Sequence, residues 1–301
     1  MKLVTYLAEG RAQIGALLED QIVDLKHADR AAANGSSTPF PDTMIALLEL
    51  GEEGLERAWA AIAFARQAEI AAPYLRRLAD VTLLAPVLRP VMVIAVGLNY
   101  GKHIQETGTK RPEHPMFFHK TAGSLLGAGG TILIPPVSKQ VDYEGELAVI
   151  IGKTAKHVTP GRALEYVAGY TNANDVSARD LQFRTKQYAS GKMPDTFCPL
   201  GPALVTRGEI GDPNDLDLTT TLNGEVMQQA NTGELIFDVA TLISTISEFA
   251  TLHPGDVILT GTPEGVGFRR TPPVFLKAGD VVTVEVEGLG ALTNTVADER
   301  V

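Results

Sequence analysis

From about residue 90 onward, glycine and proline cut the chain into short apolar runs: VMVIAVG, GTILIPP, ELAVIIG, YVAGYTNA, DLTTTLNG, DVILTGT and DVVTVEVEG. Each has the length of a strand and falls short of an ordinary helix. Strands outnumber helices and the connections are mixed, so the pattern predicts an α+β, mostly β fold, a mixed β-roll or barrel with few helices, unlike an alternating βαβ chain. Two helical stretches interrupt it, one from about Ala178 to Ala189 and the other DVATLISTISEFATL, from Asp238 to about Leu252.

The start of the chain follows another pattern. KLVTYL, QIGALLE and QIVDLK read as three strands separated by EGRA and ED, and a helical pattern runs from Asp42 to about Ile70, broken at Gly51 and Gly54. Prolines 86 and 90 mark the passage into the strand-rich part. The expected division is a small N-terminal α+β domain over 1–75 and a larger, strand-rich domain over 76–301.

Charge and cysteine content remove several function classes. A formal net charge of -10 gives no general attraction to nucleic acid or to an anionic membrane. No apolar run approaches the roughly 20 residues of a spanning helix. The lone cysteine, Cys198, excludes an internal disulfide and a cysteine-rich zinc site, and it suits a reducing compartment. The expectation is a cytoplasmic protein with neither nucleic-acid nor membrane partners. An acidic chain still binds an anion wherever a site carries its own cation and basic side chains.

Four phrases carry candidate chemistry. In DYEGELAVIIGK, residues 142–153, strand alternation puts Glu144 and Glu146 on one face with Gly145 opposite, at the mouth of a run that is apolar on both faces. Two carboxylates held near a core repel each other and lose hydration, a conflict that a bound cation removes; a strand that simply begins at the surface explains the pair as well. In GYTNANDVSARDLQ, Asp175 stands where a strand meets a helix, Ser177 and Asp180 have capping-box spacing, and Arg179 and Gln182 share a helical face; an ordinary cap with a solvated arginine accounts for the same residues. In VGLNYGKHIQETG, Glu106 can orient His103 and raise its basicity, as it can on any solvated turn. In LTGTPEGVG, backbone amides and the Thr262 hydroxyl offer a carboxylate cradle, and a plain turn explains the glycines nearly as well.

Taken in order, VGLNYGKH, DYEGELAVIIG, NDVSARDLQ, GK followed by FCPLGP, and LTGTPEGVG resemble the fumarylacetoacetate hydrolase family, over about residues 90 to 295. The resemblance implies that family's C-terminal fold, with Glu144, Glu146 and Asp175 as metal ligands. Three hard oxygen donors without cysteine suit Mg²⁺, Mn²⁺ or Ca²⁺. The founding hydrolase has a further metal-binding aspartate ahead of its histidine. Here AVGLNY carries no carboxylate, so water or substrate would complete the coordination sphere, which favours Mg²⁺ or Mn²⁺. By the same resemblance His103 and Glu106 would activate water, while Arg179, Gln182, Thr262 and Lys192 would contact substrate, Lys192 also stabilising an enolate. Lys120 is a second candidate cation, ranked lower because its neighbours look like strand and turn.

The implied substrate is a small 2-oxo or 2,4-dioxo acid, and the implied reaction is hydrolysis of a carbon–carbon bond in an acylpyruvate. Relatives with the same kit decarboxylate oxaloacetate or isomerise hydroxymuconate-type dioic acids, and a non-catalytic metal-containing binding protein is the alternative of another class. The resemblance also implies a homodimer.

Overall fold

The computed structural model describes residues 1–32, 38–67 and 72–300. The expected strands are present and most belong to two sheets. The larger, twelve-stranded, runs along its main path through Leu75–Arg77, Gln21–Asp24, Arg11–Leu18, Lys2–Ala8, Cys198–Thr206, Val167–Asn174, Gly145–Ile151, Val257–Leu259, Val93–Gly97 and Met116–Lys120. The smaller runs through Glu225–Asn231, Asp217–Leu222, Val281–Val286, Gly290–Asp298 and Thr131–Ile134. Both are open paths, so the chain is mostly β with mixed sheets and the closed-barrel alternative is not formed.

The three N-terminal strands fall as expected, and the first of them extends the main sheet. Leu3 pairs with Leu204, and the N-terminal ammonium donates to Thr206 Oγ1 at 2.7 Å. Helices Met44–Glu49 and Glu52–Ala65 follow, the first capped by Thr43, whose hydroxyl accepts from Ala46 N. Residues 68–70, the end of the expected helical stretch, lie outside the described residues. A helix at Leu25–Ala32 was not foreseen.

The strand Gly145–Ile151 is buried throughout, and its alternation decides what each face meets. Ala148 and Ile150 pack with Leu3, Met44 and Leu47 from the N-terminal elements. Leu147, Val149 and Ile151 pack with Leu242, Ile243 and Ile246 on the helix Val239–Phe249, which Asp238 caps and which lies within the stretch expected from Asp238 to about Leu252. Apolar side chains of this kind are each worth about 1.5–3 kcal/mol when fully buried. The acidic residues at the head of this strand are thereby fixed to a rigid layer.

The helix expected over Ala178–Ala189 is replaced by two short turns, Arg179–Gln182 and Ala189–Lys192. Thr185 accounts for the break: its hydroxyl accepts from Gln187 N and donates to Gln187 O, a local arrangement that competes with the helical ladder. Gly191 lets the second turn fold back, since a Cβ there would lie 2.5 Å from Gln182 Cβ. The capping box does not form either. Ser177 Oγ donates to Asp175 O, and the Asp180 carboxylate accepts from Ser138 Oγ and Lys139 N.

Candidate active site

Strand pairing brings the acidic segments together. Gly145 is registered with Asn174 and Glu146 with Ala173, Asp175 N donates to Glu144 O at 2.8 Å, and Asp142 then pairs with Ser177 in a two-stranded extension. Residues facing each other across an antiparallel pair project to the same side. Glu144, Glu146 and Asp175 accordingly bring carboxylate oxygens within 4.8 Å of one another, all three residues buried. Gly145 faces the smaller sheet, where a Cβ would lie 1.9 Å from Thr220 Oγ1, so glycine is what lets the two sheets close against each other here.

Three buried cations meet this cluster. Arg179 donates through Nε to Asp142 at 2.7 Å, through Nη2 to Glu144 at 2.7 Å, and through Nη1 to Gln182 Oε1 at 3.0 Å. Lys192 donates to Glu144 at 2.6 Å and to Asp175 at 2.8 Å, and Lys120 pairs with Asp175. Burial opposes ionisation of Glu144, but Lys192, Arg179 and His103 outweigh it and hold its carboxyl far below the usual range. Burial works against the charge of Lys192 too, and Asp175 and Glu144 keep it protonated. Glu146 differs from its neighbours. No cation pairs with it among the described residues; its Oε2 accepts from Gly261 N at 2.6 Å, and burial together with Asp175 and Glu144 pushes its carboxyl well above the ordinary value.

Asp142, Glu144, Glu146 and Asp175 set four buried carboxylates against three cations. One of the four is left without positive charge, and its oxygen lies within reach of two others. A hard divalent cation fits that donor set: it replaces the missing charge and accepts oxygen ligands without requiring nitrogen or sulfur.

His103 sits on the helix Gly101–Thr107, which follows the strand Val93–Gly97 after a short link. Its Nδ1 meets Glu106 Oε2 at 3.0 Å, while Glu106 Oε1 accepts from Gly265 N at 3.0 Å. A carboxylate only accepts, so Nδ1 carries a proton toward Glu106, and in the neutral imidazole this leaves the lone pair on Nε2. His103, Glu144, Arg179, Gln182, Lys192 and Thr262 all line one cleft with roughly 580 Å³ of empty space, part of it open to solvent.

The glycine-rich phrase acts differently from the expectation. Its amides hold protein carboxylates, Gly261 N that of Glu146 and Gly265 N that of Glu106, and the Thr262 hydroxyl donates to Gly145 O at 3.0 Å while accepting from Gln228 Nε2 at 2.8 Å. Lys192 is buried beside Glu144 and Asp175. Lys120 belongs there as well. Asp142 was missed, although it continues the alternation of 142, 144 and 146 and is fully buried, anchoring both Arg179 and the backbone of Phe268. Cys198 is buried, and burial pushes its thiol up to about 12, so it is a packing residue at neutral pH.

This acidic site, on an open mixed sheet, belongs to a known class: residues 92–297 match the family model described as fumarylacetoacetate (FAA) hydrolase C-terminal, and the chain is a member of that enzyme family. Among its relatives, the rat protein named oxaloacetate tautomerase Fahd2a, mitochondrial, is 48% identical over 276 residues, covering 91% of this chain and 83% of its own. A maleylpyruvate hydrolase from Sphingobium sp. SYK-6, solved in complex with manganese(II) ion and pyruvate, is 31% identical with a TM-score of 0.79 over 100% of both chains. A 5-carboxymethyl-2-hydroxymuconate delta-isomerase from Mycobacterium smegmatis is 35% identical with a TM-score of 0.75, also over 100% of both. The mitochondrial relative overturns the expectation of a cytoplasmic protein. A single free cysteine fits any reducing compartment, so it never distinguished the cytosol from an organelle interior.

Proposed function

We propose that this protein catalyses metal-dependent keto–enol interconversion of a small 2-oxo diacid of the oxaloacetate type. One observation carries the reading: three buried carboxylates converge within 4.8 Å beside a histidine braced by a glutamate. The nearly half-identical relative named as an oxaloacetate tautomerase supports the choice of reaction. Glu144, Glu146 and Asp175 would hold Mg²⁺ or Mn²⁺. When bound, that ion supplies Lewis acidity to the carboxylate and keto oxygens of the acid and lowers the energy of its enolate.

His103 Nε2 takes the proton from C3, and Glu106 stabilises the imidazolium by accepting from Nδ1. Lys192 places positive charge where the enolate oxygen develops. Return of the same proton to that oxygen gives the enol, so protons balance and no water is consumed. Arg179 contributes mainly by holding Asp142, Glu144 and Gln182 in place, because its three nitrogens already have acceptors. Gln182 and Thr262 shape the wall that meets the substrate.

Hydrolysis of an acylpyruvate is the second reading. The manganese- and pyruvate-bound maleylpyruvate hydrolase favours it, and the same His103–Glu106 pair would then deliver hydroxide to the distal carbonyl. The test is to follow oxaloacetate with Mn²⁺ by proton–deuterium exchange at C3, beside cleavage of acetylpyruvate followed by mass. The proposal expects rapid exchange that His103→Ala abolishes while Mn²⁺ binding persists. Background-rate exchange together with fast cleavage would replace it with the hydrolase reading.

A further inference from the structure

The cleft has three cations on its wall, and two of them are committed. Arg179 and Lys192 already bond to the buried carboxylates. Arg269 is the third. It is exposed at the rim, its Nη2 donates to Thr107 O at 2.9 Å, and among the described residues no carboxylate lies within ion-pair distance of it. A guanidinium offers five N–H donors, so most of this one remains available to a ligand.

Its placement is fixed from the acidic cluster outward. Asp142 Oδ2 accepts from Phe268 N at 2.8 Å, and Gly267 lets the loop approach that closely, since a Cβ there would lie 2.9 Å from Asp142 Cβ. The Phe268 ring then carries two guanidiniums: Arg179 on the cluster side, with Cζ 4.2 Å from the centroid, and Arg269 on the rim, with Cζ 4.9 Å from it. The cleft wall thus carries one carboxylate of the buried cluster, Glu144, and an exposed arginine without an acidic partner among the described residues.

We propose that Arg269 selects dianionic 2-oxo acids by binding their second, distal carboxylate while the 2-oxo acid end lies against the Glu144–Glu146–Asp175 cluster. This rests on the reading of the cleft as a 2-oxo diacid site, and it adds the residue that reads the second carboxylate. A two-pronged arginine–carboxylate contact of this kind is worth about 10- to 100-fold in affinity.

The test uses two unreactive C4 acids that share a metal-chelating 2-hydroxy carboxylate end and differ at the other end, malate and 2-hydroxybutyrate, titrated calorimetrically into the Mn²⁺-loaded protein. Malate is expected to bind at least about 10-fold tighter. Arg269→Met should bring the ratio of the two affinities close to one, and Arg269→Lys, which keeps the charge without the fork, should retain part of it. A ratio near one in the unaltered protein, or a ratio intact in Arg269→Met, overturns the proposal. So does a fall of both acids by a common factor, which would make Arg269 a support for the helix bearing His103. The readout needs no turnover: absence of C3 exchange with a normal malate preference would sink the tautomerase reading and leave this inference standing.

Discussion

Replacing Gly145 with alanine tests whether contact between the two sheets positions the acidic pair. The added Cβ would lie 1.9 Å from Thr220 Oγ1 and 3.3 Å from both Thr220 Cβ and Val284 Cγ1, against an ordinary separation of about 3.5 Å. Thr220 is fully buried and β-branched, so turning its hydroxyl aside swings its methyl group toward another neighbour. The sheets must part instead, at about 1–3 kcal/mol, which in a chain of this size lowers the Tm by about 2–5 °C. Among the described residues Thr220 Oγ1 has no hydrogen-bond partner, so Thr220→Ala removes the clash without breaking a bond. The double variant should recover most of the loss, with a coupling of about 1 kcal/mol or more. Differential scanning calorimetry of the four proteins reads this directly, and Mn²⁺ titration of the Gly145→Ala protein should show weakened binding as Glu144 and Glu146 shift. Unchanged stability in Gly145→Ala, or strictly additive effects in the double variant, would refute the packing argument.

Asp142→Asn should unfold more readily by about 3–5 kcal/mol in chemical denaturation, because it leaves Arg179 buried with one ionic partner fewer; a loss under 1 kcal/mol would show that Glu144 alone satisfies the guanidinium. Lys120→Met should weaken the folded protein, and added Mn²⁺ should restore part of the Tm; a variant indifferent to Mn²⁺ would separate Lys120 from the carboxylate cluster. Cys198 should resist iodoacetamide in the folded protein at pH 8 and react once the chain is unfolded. Its folded pKa is pushed up to about 12 by burial, above the ordinary thiol value, so its contribution to stability is complete below about pH 8.5 and is lost as pH rises toward 12; a weaker alkaline loss in Cys198→Ala, followed by denaturant midpoint, checks the sign.

Local spacing made the central strand legible. Alternation in 144–151 named both packing faces, and the glutamates fell on the expected side. His103 and Glu106 were readable for the same reason, since three residues along a helix determine their meeting. What stayed hidden depends on contacts between distant segments. Lys120 and Lys192 reach Asp175 from two other elements, and no local pattern in FFHKTAG or ASGKMPD reports that. The break at Thr185 escaped because a hydroxyl's preference for its own backbone competes with helix formation at nearly equal strength. The glycine-rich phrase was read as facing a ligand, yet its amides serve Glu146 and Glu106, partners lying 115 and 159 residues away.

Mn²⁺ titration of the unaltered protein and of Glu146→Gln, followed by water-proton relaxation, bears most directly on the whole account. One tightly held ion per chain is expected in the former. At least a tenfold weaker affinity is expected in the latter, together with a metal-free form no less stable than the original, because the substitution removes a buried like-charge contact. Equal affinity in both proteins would mean that the ion, if any binds, is held elsewhere.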